Sequence, residues 1–284
     1  MAAALDRAAF YASVRLNPFP GFLAPGQVTG MEAILDAAPP DMLPERLAYC
    51  LGTCPIETGW TMLPVTENLN YTAARIRQVW PTRFASVAAA EPFARNPRAL
   101  ANKVYNGRMG NRLNSDDGWL YRGRGLPQIT GRANYEKADQ RLKVLGYLTP
   151  GQSLVTNPEL ALHPDVAAAI LLIGASEGWY TGFKLADFLG NGKADWTGAR
   201  RIINGQDRAA EIGGHARAFA TALTKAGYKP GAVTKSVPTL PVEIRPLPAP
   251  APQMPPLSGP ASTDSATKPG ALGGWLSALF RWAA

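Results

Sequence analysis

Apolar residues recur at the three- and four-residue spacing of an amphipathic helix in several separate stretches. The clearest are RLAYCLGTC at 46–54, DVAAAILLIGASEGWY at 165–180 and HARAFATALTKAGY at 215–228. A further helix is predicted in NLNYTAARIRQVW, where Thr72 stands as a capping residue before Ile76, Val79 and Trp80. Pro55 predicts an interruption of the helix through 44–54, because proline lacks an amide proton and disfavours helical geometry in the residue before it. That places Glu57 at or just beyond a break, and Pro64 is a second punctuation ahead of Glu67. No internal repeat is found, and the pattern is that of one helix-rich domain over residues 1–228.

The pattern changes after residue 228. Residues 229–270 are dominated by Pro, Ala, Ser and Thr, which cannot bury enough surface to fold, so a disordered and partly polyproline linker is expected. The end, ALGGWLSALFRWAA at 271–284, predicts a short amphipathic helix. Leu272, Trp275, Leu276, Leu279 and Trp282 share one face, with Ser277 and Arg281 pointing elsewhere. At 1.5 Å per residue it is too short to span about 30 Å of hydrocarbon. Its expected place is the interface of an anionic membrane, with docking onto the domain as the alternative. No run of about 20 uncharged apolar residues occurs elsewhere.

Charge narrows the partners without choosing among them. A net charge of +8 and a pI near 9.6 favour nucleic acid, a membrane surface or an anionic cell-wall polymer. Asp6, Arg7 and Arg15 break up the N-terminal region where a secretory signal needs an apolar core, so no signal peptide is expected. Cys50 and Cys54 lie one helical turn apart, a spacing that strains a disulfide, and are read as buried free thiols. His163 and His215 are remote in sequence and no cluster has ligand spacing, so neither metal nor cofactor is expected.

Two stretches carry candidate chemistry. Glu57 and Glu67, in IETGWTMLPVTENLNY, sit on separate but neighbouring elements. Two such acids can face each other across a cleft, one protonating a glycosidic oxygen and the other activating water, at roughly 6.5 to 9.5 Å. The spacing is equally that of two solvated surface acids. The second stretch, DGWLYRGRGLPQITGRANY at 117–135, mixes aromatics, arginines, glycines and the amides Gln128 and Asn134, as a loop lining a sugar groove would. Trp119, Tyr121 and Tyr135 are equally readable as core aromatics, and Gln128 and Asn134 as turn-bonding amides. Arg122 and Arg124 are expected to brace the loop or pair with acids, and Glu177 to be structural. The GRG word lacks the spacing and setting of a phosphate-binding loop.

These residues resemble the glycoside hydrolase family 19 chitinases, and within them the phage and prophage endolysins that cut peptidoglycan. The resemblance lies in ETGW and ENLNYTAARIRQVWPTRF (57–84), KVYNGRMGN (103–111), YRGRGLPQITGRANY (121–135), NPELALHPDVAAA (157–169) and RRIINGQDR (200–208). It implies a mainly α, lysozyme-like fold with a small β element beside the cleft. It also implies Glu57 as general acid, Glu67 as general base, and Thr130 as a holder of the water. Tyr121, Gln128, Asn134 and Asn204 match sugar-contacting positions, and Arg217 matches a cleft arginine. Ile56 and Gly205-Gln206 depart from the family, which often has His before the first acid and Gly-Gly after the Asn. The implied protein is a monomer acting on peptidoglycan glycan strands, without cofactor or nucleic acid, released from the cytoplasm through a holin-type pore. Chitin is the alternative substrate, and a non-catalytic wall-binding or virion protein is the alternative class.

Overall fold

In a computed structural model, residues 5–230 are described; the linker beyond residue 230 and the segment 271–284 lie outside them. Helices α1 (Arg7–Leu16) and α2 (Pro25–Asp36) precede the central α3 (Pro44–Glu57). Strand β1 (Val65–Thr66) leads into α4 (Ala73–Val79), α5 (Val87–Ala90) and α6 (Pro97–Tyr105). Next come α7 (Asp117–Leu120), the hairpin of β2 (Arg124–Gly125) and β3 (Gln128–Ile129), and α8 (Arg132–Val144). The remainder comprises α9 (Pro164–Glu177), α10 (Leu185–Phe188), the hairpin of β4 (Leu189–Gly190) and β5 (Lys193–Ala194), a 3-10 turn at Gly198–Ile202, and α11 (Ala209–Lys225). The chain is thus mainly helical and lysozyme-like, with a small β element. No helix among the described residues is long and apolar enough to cross a membrane.

Two hydrophobic cores form. The smaller gathers Leu69, Ile76, Val79, Trp80, Phe84, Leu100, Val104 and Tyr105, so it is built from the contiguous stretch between β1 and α6. Its helix α4 begins as predicted, with the Thr72 hydroxyl accepting from the Arg75 N–H at 3.3 Å. The larger core collects the remaining helices around α3 and α9. Every residue of α9 from Val166 to Ala175 is buried, which explains its nearly unbroken apolar run. Antiparallel β1–β2–β3 pairing, with Thr66 opposite Arg124 and Arg124 opposite Ile129, lies where the chain passes between the two cores.

Helix α3 is not interrupted at Pro55. Proline falls in the final turn, where only one backbone hydrogen bond is forgone, and the Thr58 N–H still reaches the Cys54 carbonyl at 2.9 Å. The helix ends at Glu57, and the chain then reverses through positive φ at Gly59, Trp60 and Met62. The 117–135 stretch is likewise not a loop, being α7, the β2–β3 hairpin and the first turn of α8. Cys50 and Cys54 are buried free thiols.

Helix α3 packs against α11 at a glycine. A Cβ at Gly52 would lie 2.5 Å from the Ala216 nitrogen and 2.6 Å from its Cα, so the two backbones touch. Gly52→Ala relieves the helix penalty of glycine but forces the helices apart, and the expected net loss is about 2 kcal/mol. Urea unfolding checks it: a midpoint at or above wild type refutes the close packing.

Candidate active site

Glu67 is positioned by the ladder that β1 starts. One residue past the strand, its N–H donates to the Gly123 carbonyl at 2.9 Å, and the Gly123 N–H returns to Glu67 Oε2 at 3.2 Å. The other oxygen, Oε1, accepts the buried Tyr105 hydroxyl at 2.5 Å. Glu67 is only 7% exposed, and burial pushes its carboxyl above the usual range against the opposing pull of Tyr105, the Gly123 amide, Arg122 and Arg124. A Cβ at position 123 would run into Gln128 Oε1 and sit 3.2 Å from Glu67 Cβ, so a larger residue there would displace the Gln128 side chain. The same crowding shows that the Gln128 side chain lies over Glu67.

Glu57 is held differently. The Arg200 guanidinium, 2% exposed, donates from Nη1 to Glu57 Oε1 at 2.5 Å and from Nε to the Asp207 carbonyl at 3.1 Å. Glu57 Oε2 takes no hydrogen bond from the described residues, and the side chain is 14% exposed. Behind it, the Thr58 hydroxyl donates to the Cys54 carbonyl and accepts from the Met62 N–H, which fixes the turn leaving α3. Glu57 thus ends a helix of the large core, whereas Glu67 is clamped by Tyr105 of the small one.

The other predicted positions divide. Thr130, 8% exposed, directly follows β3. The Asn134 amide donates to the Thr130 carbonyl at 2.7 Å, a local turn bond. Tyr121 is placed in the core: it is 3% exposed, its hydroxyl donates to the Val155 carbonyl at 3.0 Å, and its ring packs on Tyr135 at 5.4 Å. Asn204 is buried beside Arg200, its N–H on the Arg200 carbonyl, and its side-chain Nδ2 has no hydrogen-bond partner among the described residues. Arg217 is exposed on α11 and is not joined to either acid. The arginine at Glu57 is Arg200.

Arg122 and Arg124 brace the hairpin rather than touch either acid. Both bond Glu159, and Arg124 Nη1 also donates to the Leu120 and Arg122 carbonyls and to the Tyr135 hydroxyl. Asp117, with no exposed side-chain surface, accepts from the Arg112 and Arg132 guanidinium groups and from the Arg112 N–H. Asn111 extends this brace to Tyr105, the partner of Glu67, donating to the Tyr105 carbonyl and accepting from the Arg132 N–H. Glu177 pairs with Arg141 and Trp179, a structural role. Tyr105, Gly123 and Arg200 were missed in the sequence although each lies in a word that resembles the family. A lone Tyr, Gly or Arg in such a word carries no mark of which acid it serves.

With this geometry in hand, one comparison bears on the chain. Over 89 residues, 31% of this chain, it is 42% identical to a Haemophilus influenzae protein named glycosyl hydrolase family 19 domain-containing protein. The chain is similar to part of that protein. The match spans 44% of the relative's length, less than half of it. No protein-family model matches the chain.

Proposed function

We propose that the protein is an endolysin-type glycoside hydrolase that cleaves β-1,4 bonds between the amino sugars of peptidoglycan with inversion. The observation that carries this reading is the unlike holding of the two acids. Glu67 presents both oxygens to donors, one O–H and one N–H, as a carboxylate acting as base requires. Glu57 keeps Oε2 unengaged at a partly exposed position, the oxygen from which a proton can pass to a leaving group. Gln128 lies beside Glu67 at Gly123, where it and Thr130 would orient the attacking water, and Asn204 Nδ2, without a partner among the described residues, would donate to a sugar acetamido or hydroxyl group. The similarity to a family 19 domain supports a glycosidase, and the charge of +8 supports an anionic wall polymer over neutral chitin.

The test is product analysis with the full-length protein on purified peptidoglycan and, in parallel, on chitin oligosaccharides. Clearing of peptidoglycan with new reducing amino-sugar ends, and an α-anomer first in proton NMR, is expected. Cleavage of chitin alone would move the substrate. A first-formed β-anomer would remove Glu67 from the base role, and no new reducing ends on either polymer would favour the non-catalytic wall-binding reading.

A further inference from the structure

Tyr49, Thr53 and Glu57 are spaced four residues apart on α3 and therefore lie along one face of it. Tyr49 and Thr53 are both 0% exposed, and neither hydroxyl has a hydrogen-bond partner among the described residues. The hydroxyls of Thr29, Thr58, Thr221 and Thr224 all bond the carbonyl four residues back, but Thr53 does not. Thr53 lies one turn beyond Tyr49 on that face, and the Tyr49 phenol lies within electrostatic reach of both Arg200 and Glu57. An unpaired buried hydroxyl costs about 1–3 kcal/mol, whereas Phe and Val fill the same space without that cost.

We propose that Tyr49 and Thr53 are positioning residues for Glu57, supplying the acceptor that the buried Arg200 guanidinium needs once the Glu57 carboxyl is protonated. When Glu57 is ionised, Arg200 Nη1 is satisfied by Oε1. When Glu57 takes up a proton, that acceptor weakens and a buried guanidinium is left short. The Tyr49 oxygen then accepts from Arg200, and the Tyr49 O–H donates to Thr53 Oγ1. The pair of hydroxyls thus stabilises the protonated acid without contacting substrate. Arg208 at the start of α11, Cys54 on α3 and Tyr180 beyond α9 also lie within electrostatic reach of Glu57. Burial keeps Cys54 and Tyr180 neutral, so the arginines are the charges that matter.

The inference rests on Glu57 as the acid, but its test does not depend on turnover. In full-length protein carrying carboxyl-13C glutamate, the Glu57 resonance, assigned by its loss in Glu57→Gln, is titrated in wild type, Tyr49→Phe and Thr53→Val. Loss of the hydroxyl disfavours protonation, so that resonance should lose its proton at lower pH in the variants than in wild type, with the melting temperature unchanged or raised. If hydrolysis is observed, kcat falls with KM unchanged and the basic limb of the pH profile moves down in step. A midpoint unmoved in the folded variants overturns the inference. Thr53→Val, which preserves shape, carries the test if Tyr49→Phe does not fold. Turnover surviving in Glu57→Gln would instead overturn the acid assignment, leaving the titration to judge the hydroxyls.

Discussion

Glu57→Gln lowers the rate of glycan cleavage by at least about 100-fold, the usual worth of a positioned general acid, while sedimentation with insoluble peptidoglycan is retained. Glu67→Gln should be as damaging, but it separates activity from stability. Because the Glu67 carboxyl is raised by burial, its contribution to folding is full below the unfolded value and is lost as pH rises through the folded one. Once ionised, the group therefore works against the fold, and above its folded value the glutamine variant should melt higher than wild type while being inactive. Turnover above about a tenth of wild type in either variant would sink that residue's role, and a lower melting temperature for Glu67→Gln would show the carboxylate to be structural.

The largest loss of stability is expected at Asp117. Its carboxylate has no exposed surface and accepts from two guanidinium groups and an amide. Arg112 first, then Arg132, hold its pKa well below the ordinary carboxylate value against the opposing effect of burial. Asp117→Ala leaves those donors facing a void, and the expected cost is about 3 kcal/mol, at the low end for a broken buried pair because Arg112 is itself exposed. The sign with pH follows from the lowered value. The contribution is fully present above roughly pH 4 and is lost as pH falls below it toward the folded value. Urea unfolding at pH 7 and pH 3 should find the gap between wild type and variant shrinking at the lower pH; a constant gap would mean that packing, not charge, accounts for the loss.

Much of this was legible in the sequence, and what was not has identifiable causes. Periodicity and apolar content placed α3, α4, α9 and most of α11, because α4 and α11 each bury a stripe and α3 and α9 an unbroken run. It failed at Pro55, which the final turn of α3 accommodates at the loss of a single backbone hydrogen bond. It failed again at 117–135, where strands of two residues and a four-residue helix are too short to leave any period. The two acids could be picked out as candidates, but their partners could not. Arg200 is separated from Glu57 by 143 positions and Tyr105 from Glu67 by 38, and such pairings are set by how the helices pack. Tyr121 shows the converse, a residue conspicuous in its motif that the fold spends on the Val155 carbonyl.

The separate anchoring of Glu57 and Glu67 makes the spacing of acid and base a property of tertiary structure, even though ten positions separate them in the chain. Glu57 is fastened to the larger body and Glu67 to Tyr105 of the smaller one as well as to Gly123 beside the hairpin, and only the turn after α3 and the two residues of β1 run between them in the chain. A substitution that shifts the smaller body as a unit, such as a trimmed Ile76 or Leu100, would move the base relative to the acid while touching neither. Selection for activity would therefore reach interior residues of the smaller core, far from any sugar, as well as the two carboxyl groups themselves.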